Sequence, residues 1–351
     1  MGRGVAVVAG ALGIAGGALV RHLRALEGWD VIGLSRRPLA SPMSAAHVRV
    51  DLLDAEDCRS KLSAFSAATH VFYCAFTPRA SAAEEVAPNV AMLANLVGAL
   101  EAVAPNLAHI QLMQGSKWYG HHLGPYRTPA REDDPRRTPP NFYYDQQDWL
   151  SRRQRGKRWT WSALRPHAIC GMAIGSPMNH LLALSLHAVV SRELGLPLRF
   201  PGNPAAFSAI YQFTDARLLA RAMLWAATHT ACENQAFNIT NGDYERWENI
   251  WPALAACFGM DAGPVQTLKL AETMPDKEAL WSAMRRKYGL REHRLSELVD
   301  WRFADWSYSN GFDQMSSVVK ARRAGWNEVQ DATTMFAELV AELVEHRLIP
   351  A

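Results

Sequence analysis

The first two-thirds of the chain alternates short apolar runs with stretches whose apolar residues recur at helical spacing. Val5 to Ala9 reads as a strand and Ile14 to Leu26 as a helix. A second strand is predicted at Val31 to Leu34 and a short third at Val48 to Val50. Asp54 to Ala64 reads as helical, His70 to Cys74 as a fourth strand, Ala82 to Val103 as a long helix and His109 to Met113 as a fifth strand. Asn141 to Arg153 is predicted helical, Trp159 to Leu164 a strand, Pro177 to Glu193 and Thr214 to Thr228 helices, and Gln235 to Thr240 a last core strand. Alternation of this kind implies an α/β protein with a doubly wound parallel sheet covered on both faces.

Leu123 to Pro140 is rich in Pro, Arg and Asp without periodicity, so it reads as a surface loop near a site. From Asp243 onward helices dominate and Trp is frequent. Residues 1–176, completed by about 205–243, are therefore expected to carry the sheet. Residues 177–204 and 244–351 are expected to form a smaller, mainly helical unit that covers its functional edge and binds substrate.

At 351 residues, 49% hydrophobic and 20% charged, the composition is that of a globular chain and excludes disordered, collagen-like and coiled-coil classes. A net charge of +3 gives no reason to expect nucleic acid, and the basic cluster Arg152 to Arg158 reads as a solvated helix end. The cysteines Cys58, Cys74, Cys170, Cys232 and Cys257 are odd in number and lack CxxC spacing, which fits a reducing cytoplasm without a disulfide framework or zinc site. The apolar run Val5 to Val20 is shorter than the roughly 20 residues of a membrane span, so no membrane partner is expected. Ala6 breaks the myristoylation pattern after Met1-Gly2, and the sequon Asn238-Ile239-Thr240 lies in a strand-like run. His121-His122 has no third ligand at suitable spacing, so no metal is expected.

Candidate chemistry starts at the first strand. Gly10, Gly13 and Gly16 form GxxGxxG directly after it. The first glycine permits a tight turn, the second lets backbone approach a pyrophosphate, and the third lets helix and sheet pack closely. The helix N-terminus then presents its partial positive charge to the phosphates. This is the signature of a Rossmann dinucleotide site. After the second strand comes Ser35-Arg36-Arg37-Pro38, where an NAD protein usually places a carboxylate for the ribose hydroxyls. Arg36 and Arg37 suit a 2′-phosphate and select NADP(H). Asp51 and Leu52 are then expected beside the adenine.

A glycine motif in a chain of this length is similar to extended short-chain dehydrogenase/reductases, which carry Tyr-x-x-x-Lys on a helix. Here Tyr143 is followed four residues later by Gln147, and Tyr144 by Asp148. A lysine does occur in Gly115-Ser116-Lys117, just past the fifth strand, where ligands of doubly wound sheets bind. Either tyrosine could face the cofactor, but not both, because they differ by one helical position.

This combination resembles one family nearly end to end: the progesterone 5β-reductase and iridoid synthase-like enone reductases. The resemblance is carried by Arg36-Arg37-Pro38, Thr69 to Tyr73, Gly115-Ser116-Lys117 with Gly124-Pro125-Tyr126, and Asn141 to Tyr144. It continues through Arg165-Pro166, Gly171, Ala236 to Asp243 and Trp247. It implies that Lys117 and Tyr143 flank the substrate carbonyl. It also implies cofactor contacts at Leu12, Gly13, Ile14, Ala75, Met113, Ile169, Ser176 and Met178, with Phe76 and Tyr126 as pocket walls. The chain departs from the family pattern at Phe76, Met113, Gln114, Trp118, Gln147 and Ala168.

The expected activity is NADPH-dependent reduction of the C=C bond of an α,β-unsaturated carbonyl compound, a small hydrophobic substrate. Tyr143 and Lys117 would stabilise the enolate oxygen. Reduction of the carbonyl itself uses the same groups and stays open, as does a non-catalytic NADP-binding sensor. A homodimer is a family-level expectation.

Overall fold

The computed structural model describes residues 4–38, 46–176 and 178–351, so the Met1-Gly2 start and Pro177 lie outside the described residues. The chain begins β1 (Gly4–Ala9), α1 (Ile14–Arg24), β2 (Trp29–Ser35), β3 (Ala46–Arg49), α2 (Ala55–Leu62), β4 (His70–Tyr73), α3 (Ala82–Val103) and β5 (His109–Met113). It continues α4 (Phe142–Gln154), β6 (Thr160–Pro166), β7 (Ile169–Cys170), α5 (His180–Glu193), α6 (Pro204–Ser208), β8 (Ile210–Tyr211), β9 (Thr214–Asp215), α7 (Ala216–Thr228) and β10 (Gln235–Ile239). Seven strands form one parallel sheet in the order β3-β2-β1-β4-β5-β6-β10. The order reverses between β1 and β4, which opens a crevice at the carboxyl ends of those strands.

The central strands are continuous apolar runs because both faces are covered; Ala6, Val7, Val8 and Ala9 have no exposed surface. Leu19 and Leu23 of α1 and Leu219 and Met223 of α7 pack on one face, against Phe72, Leu164 and Phe237. Leu62 of α2, Leu96 and Leu100 of α3 and Leu150 of α4 cover the other, over Val71, Ile110 and Ala163. Burying each such leucine contributes about 2 kcal/mol.

The remaining elements are β11 (Glu245–Arg246), α8 (Trp247–Cys257), α9 (Leu270–Thr273), α10 (Glu278–Tyr288), α11 (Leu295–Leu298), α12 (Trp301–Ser309), α13 (Val319–Arg323) and α14 (Ala332–Glu345). They build a separate core around α5, which is buried from His180 to Ser191. Trp251 and Trp281 fill it, and each indole N–H finds a carbonyl, Leu198 and His293, at 2.8 Å. The division expected at residue 244 is crossed near the C-terminus. Ala321 and Trp326 pack in the layer of α1 and α7, and Trp326 meets Trp225 at 5.5 Å between ring centroids.

Boundaries moved where a polar side chain caps the helix. Thr214-Asp215 is extended and pairs with β7, and α7 starts at Ala216 because the Asp215 carboxylate accepts from the Arg217 amide at 2.7 Å. α5 likewise starts at His180, since Asn179 accepts from the Leu182 amide at 3.0 Å.

Candidate active site

The glycines after β1 make a cradle that side chains would fill. Gly10 has φ +81°, and a Cβ there would stand 2.7 Å from the Cys74 carbonyl oxygen at the end of β4. A Cβ on Gly16 would stand 2.4 Å from the Gly10 carbonyl oxygen. Gly13 is the N-cap of α1, offers no side-chain cap, and is followed by a first turn without acidic residues. The first amides of the helix are thus directed at the crevice, as a pyrophosphate requires. Leu12 and Ile14 flank Gly13, and Ile14 touches the space a Cβ on Gly171 would take, at 3.1 Å. These residues fit a dinucleotide.

Arg36 and Arg37 are exposed at the end of β2 with Ser35 beneath them. The Arg36 carbonyl accepts from Arg49 Nε at 3.1 Å, which brings a third guanidinium to the same corner. Arg37 reaches across the crevice, both terminal nitrogens 3.3 Å from the Ile174 carbonyl. Asp51 follows β3 on the surface, where its carboxylate accepts from the Leu53 amide at 3.0 Å, and Leu52 is buried beside it. Ala75 and Met113 lie at the carboxyl ends of β4 and β5, and Ile169 opens β7. Ser176 is half-buried and lines a cleft of about 490 Å³ against Ser296 to Arg302; Met178 is exposed.

The two candidate tyrosines separate clearly. Tyr144 is buried; its hydroxyl donates to the Trp118 carbonyl at 2.6 Å and accepts from the Arg137 amide at 3.1 Å. Tyr143 points its hydroxyl to the end of β5, 3.5 Å from where a Cβ on Gly115 would stand. Its pKa is pushed above the ordinary tyrosine value, first by burial and then by the Glu85 carboxylate. The hydroxyl is therefore held as a protonated donor, the reverse of the lysine-lowered tyrosine of a Tyr-x-x-x-Lys helix.

Lys117 stands on the short 3-10 turn Ser116–Tyr119. Its Nζ lies 5.6 Å from the centroid of Phe76 and 4.0 Å from Glu85 Oε2. Among the described residues no direct hydrogen bond joins Lys117 to Tyr143. Phe76 stacks on Phe142 at 5.2 Å, and Phe142 meets Tyr143 at 4.4 Å, so one aromatic row runs from the lysine to the tyrosine. Tyr126 packs on Tyr119, His121 and Phe312, and lies against the same small cluster of Trp118, Tyr119, Ala130 and Tyr144 as Tyr143. His121 is turned inward, 4.9 Å from Trp306 between ring centroids. Among the described residues no group of three or more His, Cys, Asp or Glu is placed to hold a metal.

Several residues support the two candidate groups, and their roles were not assigned from the sequence. Asn141 caps α4 by accepting from the Tyr143 amide at 3.1 Å and donates Nδ2 to the Lys117 carbonyl at 2.7 Å, tying the two candidate groups together. Arg165 is buried, donating to Gln114 at 3.0 Å and to Gln147 at 3.3 Å, with its guanidinium 3.6 Å from the Trp118 ring centroid. Gln114 in turn donates to the Tyr143 carbonyl at 3.3 Å. Glu85 reads in the sequence as one of two acidic residues in a helix's first turn, an ordinary macrodipole pattern.

The chain matches the PRISE-like Rossmann-fold domain over residues 6–336. It is 34% identical to a 3-oxo-Δ(4,5)-steroid 5-β-reductase of Arabidopsis thaliana, covering 99% of this chain and 93% of that protein. It is 32% identical to a short chain dehydrogenase of Penicillium aethiopicum, covering 98% and 99%, and 32% identical to an (S)-8-oxocitronellyl enol synthase of Nepeta racemosa, covering 99% and 93%. Among solved structures it superposes on a UDP-glucose 4-epimerase of Thermotoga maritima with a TM-score of 0.69 at 16% identity, covering 97% and 99%. A short-chain dehydrogenase/reductase superfamily protein of Agrobacterium tumefaciens with bound NAD gives 0.66 at 16% identity, covering 98% of each chain. The sheet order, the glycine cradle and these full-length matches agree: the chain belongs to the PRISE-like Rossmann-fold family of progesterone 5β-reductase and iridoid synthase-like proteins, and is an oxidoreductase of the short-chain dehydrogenase/reductase superfamily.

Proposed function

We propose that this oxidoreductase uses NADPH to reduce the C=C bond of α,β-unsaturated ketones or aldehydes. The observation that carries the reading is the placement of the Tyr143 hydroxyl, held protonated at the carboxyl end of β5 and joined to Lys117 through Asn141 and the Phe76–Phe142 row. The glycine cradle of Gly10, Gly13 and Gly16 would hold the NADPH pyrophosphate, and the bound cofactor would supply the hydride for the β-carbon of the substrate. The π electrons then move onto the carbonyl oxygen, where negative charge develops. Tyr143 donates a hydrogen bond to that oxygen, and the Lys117 ammonium adds a positive charge nearby. Water protonates the α-carbon, giving the saturated carbonyl compound. Phe76 and Phe142 exclude water and favour an apolar substrate. Arg36 and Arg37, standing after the second strand where an NAD protein usually places a carboxylate, support NADP(H) over NAD(H). The name of the Arabidopsis relative, a reductase of a 3-oxo-Δ(4,5)-steroid, supports the reaction class.

Cofactor oxidation followed with 2-cyclohexen-1-one and with cyclohexanone tests this. The expected result is turnover of the enone, little with the ketone, and a strong preference for NADPH over NADH. Turnover of cyclohexanone moves the protein to carbonyl reduction. Silence with both, despite tight NADPH binding, favours a sensor.

A further inference from the structure

Beyond its charge beside Tyr143, Glu85 takes no part in the reaction as described, yet it is built into the site. Its side chain is 12% exposed, and Oε2 lies 4.0 Å from Lys117 Nζ. Its carbonyl accepts from Asn89 Nδ2 at 2.8 Å, and Asn89 is fully buried. Asn89 also accepts from the Thr77 amide at 3.0 Å and donates to the Thr77 carbonyl at 2.9 Å. The Asn89 carbonyl accepts from Gln146 Nε2 at 2.8 Å. The turn bearing the carboxylate is thus fastened both to the residue after Phe76 and to α4.

Glu85 and Lys117 share a pocket of about 220 Å³ with Arg79, His122, Asn141 and Phe142. Burial, and then Lys117, push the His122 imidazole below its ordinary pKa, so it is neutral at pH 7. Arg79 is exposed at the rim and donates to Thr77 Oγ1 and the Pro78 carbonyl, both at 2.9 Å. Without Glu85 the pocket would hold two cations and no anion, the chemistry that captures a carboxylate. With Glu85 present, an incoming carboxylate meets a like charge beside the lysine it would bind.

We propose that Glu85 is a specificity-determining residue: its carboxylate offsets the Lys117 charge and restricts the site to neutral carbonyl compounds, turning away those that carry a carboxylate. The inference rests on the reading of this site as one for carbonyl compounds. A like charge roughly 5 Å away at an effective dielectric of about 20 corresponds to about a hundredfold, of which solvent at the open rim leaves about tenfold or more. The device is repulsive, so it leaves the contacts with neutral substrates in place.

The test compares 2-cyclohexen-1-one with its anionic analogue 3-oxocyclohex-1-ene-1-carboxylate, by steady-state kinetics and by calorimetric binding to the NADP⁺-loaded protein. In Glu85→Gln the preference for the anionic compound over the neutral one rises about tenfold, mainly in KM and Kd, and Glu85→Asp retains the wild-type preference. Added salt changes the ratio little, because charges a few ångströms apart in a part-buried pocket are poorly screened. An unchanged ratio in Glu85→Gln overturns the proposal. If Glu85→Gln does not fold, Glu85→Ala is read for the same ratio, and an unchanged ratio there overturns the proposal. Wild-type reduction of the neutral enone with an unmoved ratio removes only the role of Glu85. Failure to reduce either enone removes the enone-reductase reading, and the binding ratio still judges Glu85.

Discussion

The Tyr144 hydroxyl is engaged with two main-chain groups, whereas the Tyr143 hydroxyl faces the end of β5 beside Gly115. Tyr144→Phe leaves the buried Trp118 carbonyl without its donor, which costs about 1–3 kcal/mol. Thermal unfolding should show a Tm lower by a few degrees in Tyr144→Phe and essentially unchanged in Tyr143→Phe; equal losses would argue against this division. Spacing alone left the two open, because a one-residue step along a helix changes the facing side without changing residue type, and only the family resemblance pointed to Tyr143. Ala168, between β6 and β7, holds φ +37°, a region costly for a residue with a Cβ. Ala168→Gly should therefore raise stability by up to about 1 kcal/mol, read from denaturant midpoints. A lower midpoint would show that the methyl packing outweighs the backbone.

At the scale of elements, long helices and core strands were legible because their periodicity persists; α3 and β5 begin and end where the apolar pattern does. The two-residue strands β7, β8, β9 and β11 were not, since two residues show no period and their pairing is decided by distant partners. Among the site-bearing elements, α4 is oriented by Asn141, whose oxygen caps the helix and whose nitrogen holds the turn of Lys117. Asn141→Asp keeps the capping oxygen and removes the donor; Asn141→Ala removes both. Asn141→Ala should lose about 1–2 kcal/mol of stability, and Asn141→Asp much less. Both should lower kcat with a smaller change in KM, measured with a neutral enone. If Asn141→Asp retains full kcat, the tie to Lys117 does not position the lysine.

At the scale of the molecule, burial pushes the pKa of His70 down to about 4, of His109 and His180 to about 3, and of His121 to about 2. These histidines are neutral when folded and charge on unfolding below about pH 6.5. Their contribution to stability is thus present above the unfolded value and is lost as pH falls toward the folded ones. Unfolding between pH 7 and pH 4.5 should become easier by several kcal/mol in all, with proton uptake on unfolding; stability flat across that range would contradict the burial. The doubly wound sheet and the glycine cradle were legible at this scale because each is written in contiguous residues, Val5 to Gly16 above all. Glu85 and Asn89 reach the site only through tertiary packing, from α3, and ordinary helix roles explained them equally well, whereas Arg165 was marked by the family resemblance but not by its place among Gln114 and Gln147. Residues at the C-terminus were harder still: Trp326 reads as part of a Trp-rich helical unit, yet it completes the layer over the sheet.

The central claim is that hydride reaches the β-carbon while Tyr143 holds the oxygen. The most direct measurement uses NADPH deuterated at C4 with 2-cyclohexen-1-one, locating the label in the product for the wild type and for Tyr143→Phe. The account predicts cyclohexanone with deuterium at C3, formed about 100-fold or more slowly by Tyr143→Phe at unchanged NADPH affinity. Deuterium on the carbinol carbon of 2-cyclohexen-1-ol, or a full rate in Tyr143→Phe, would contradict it.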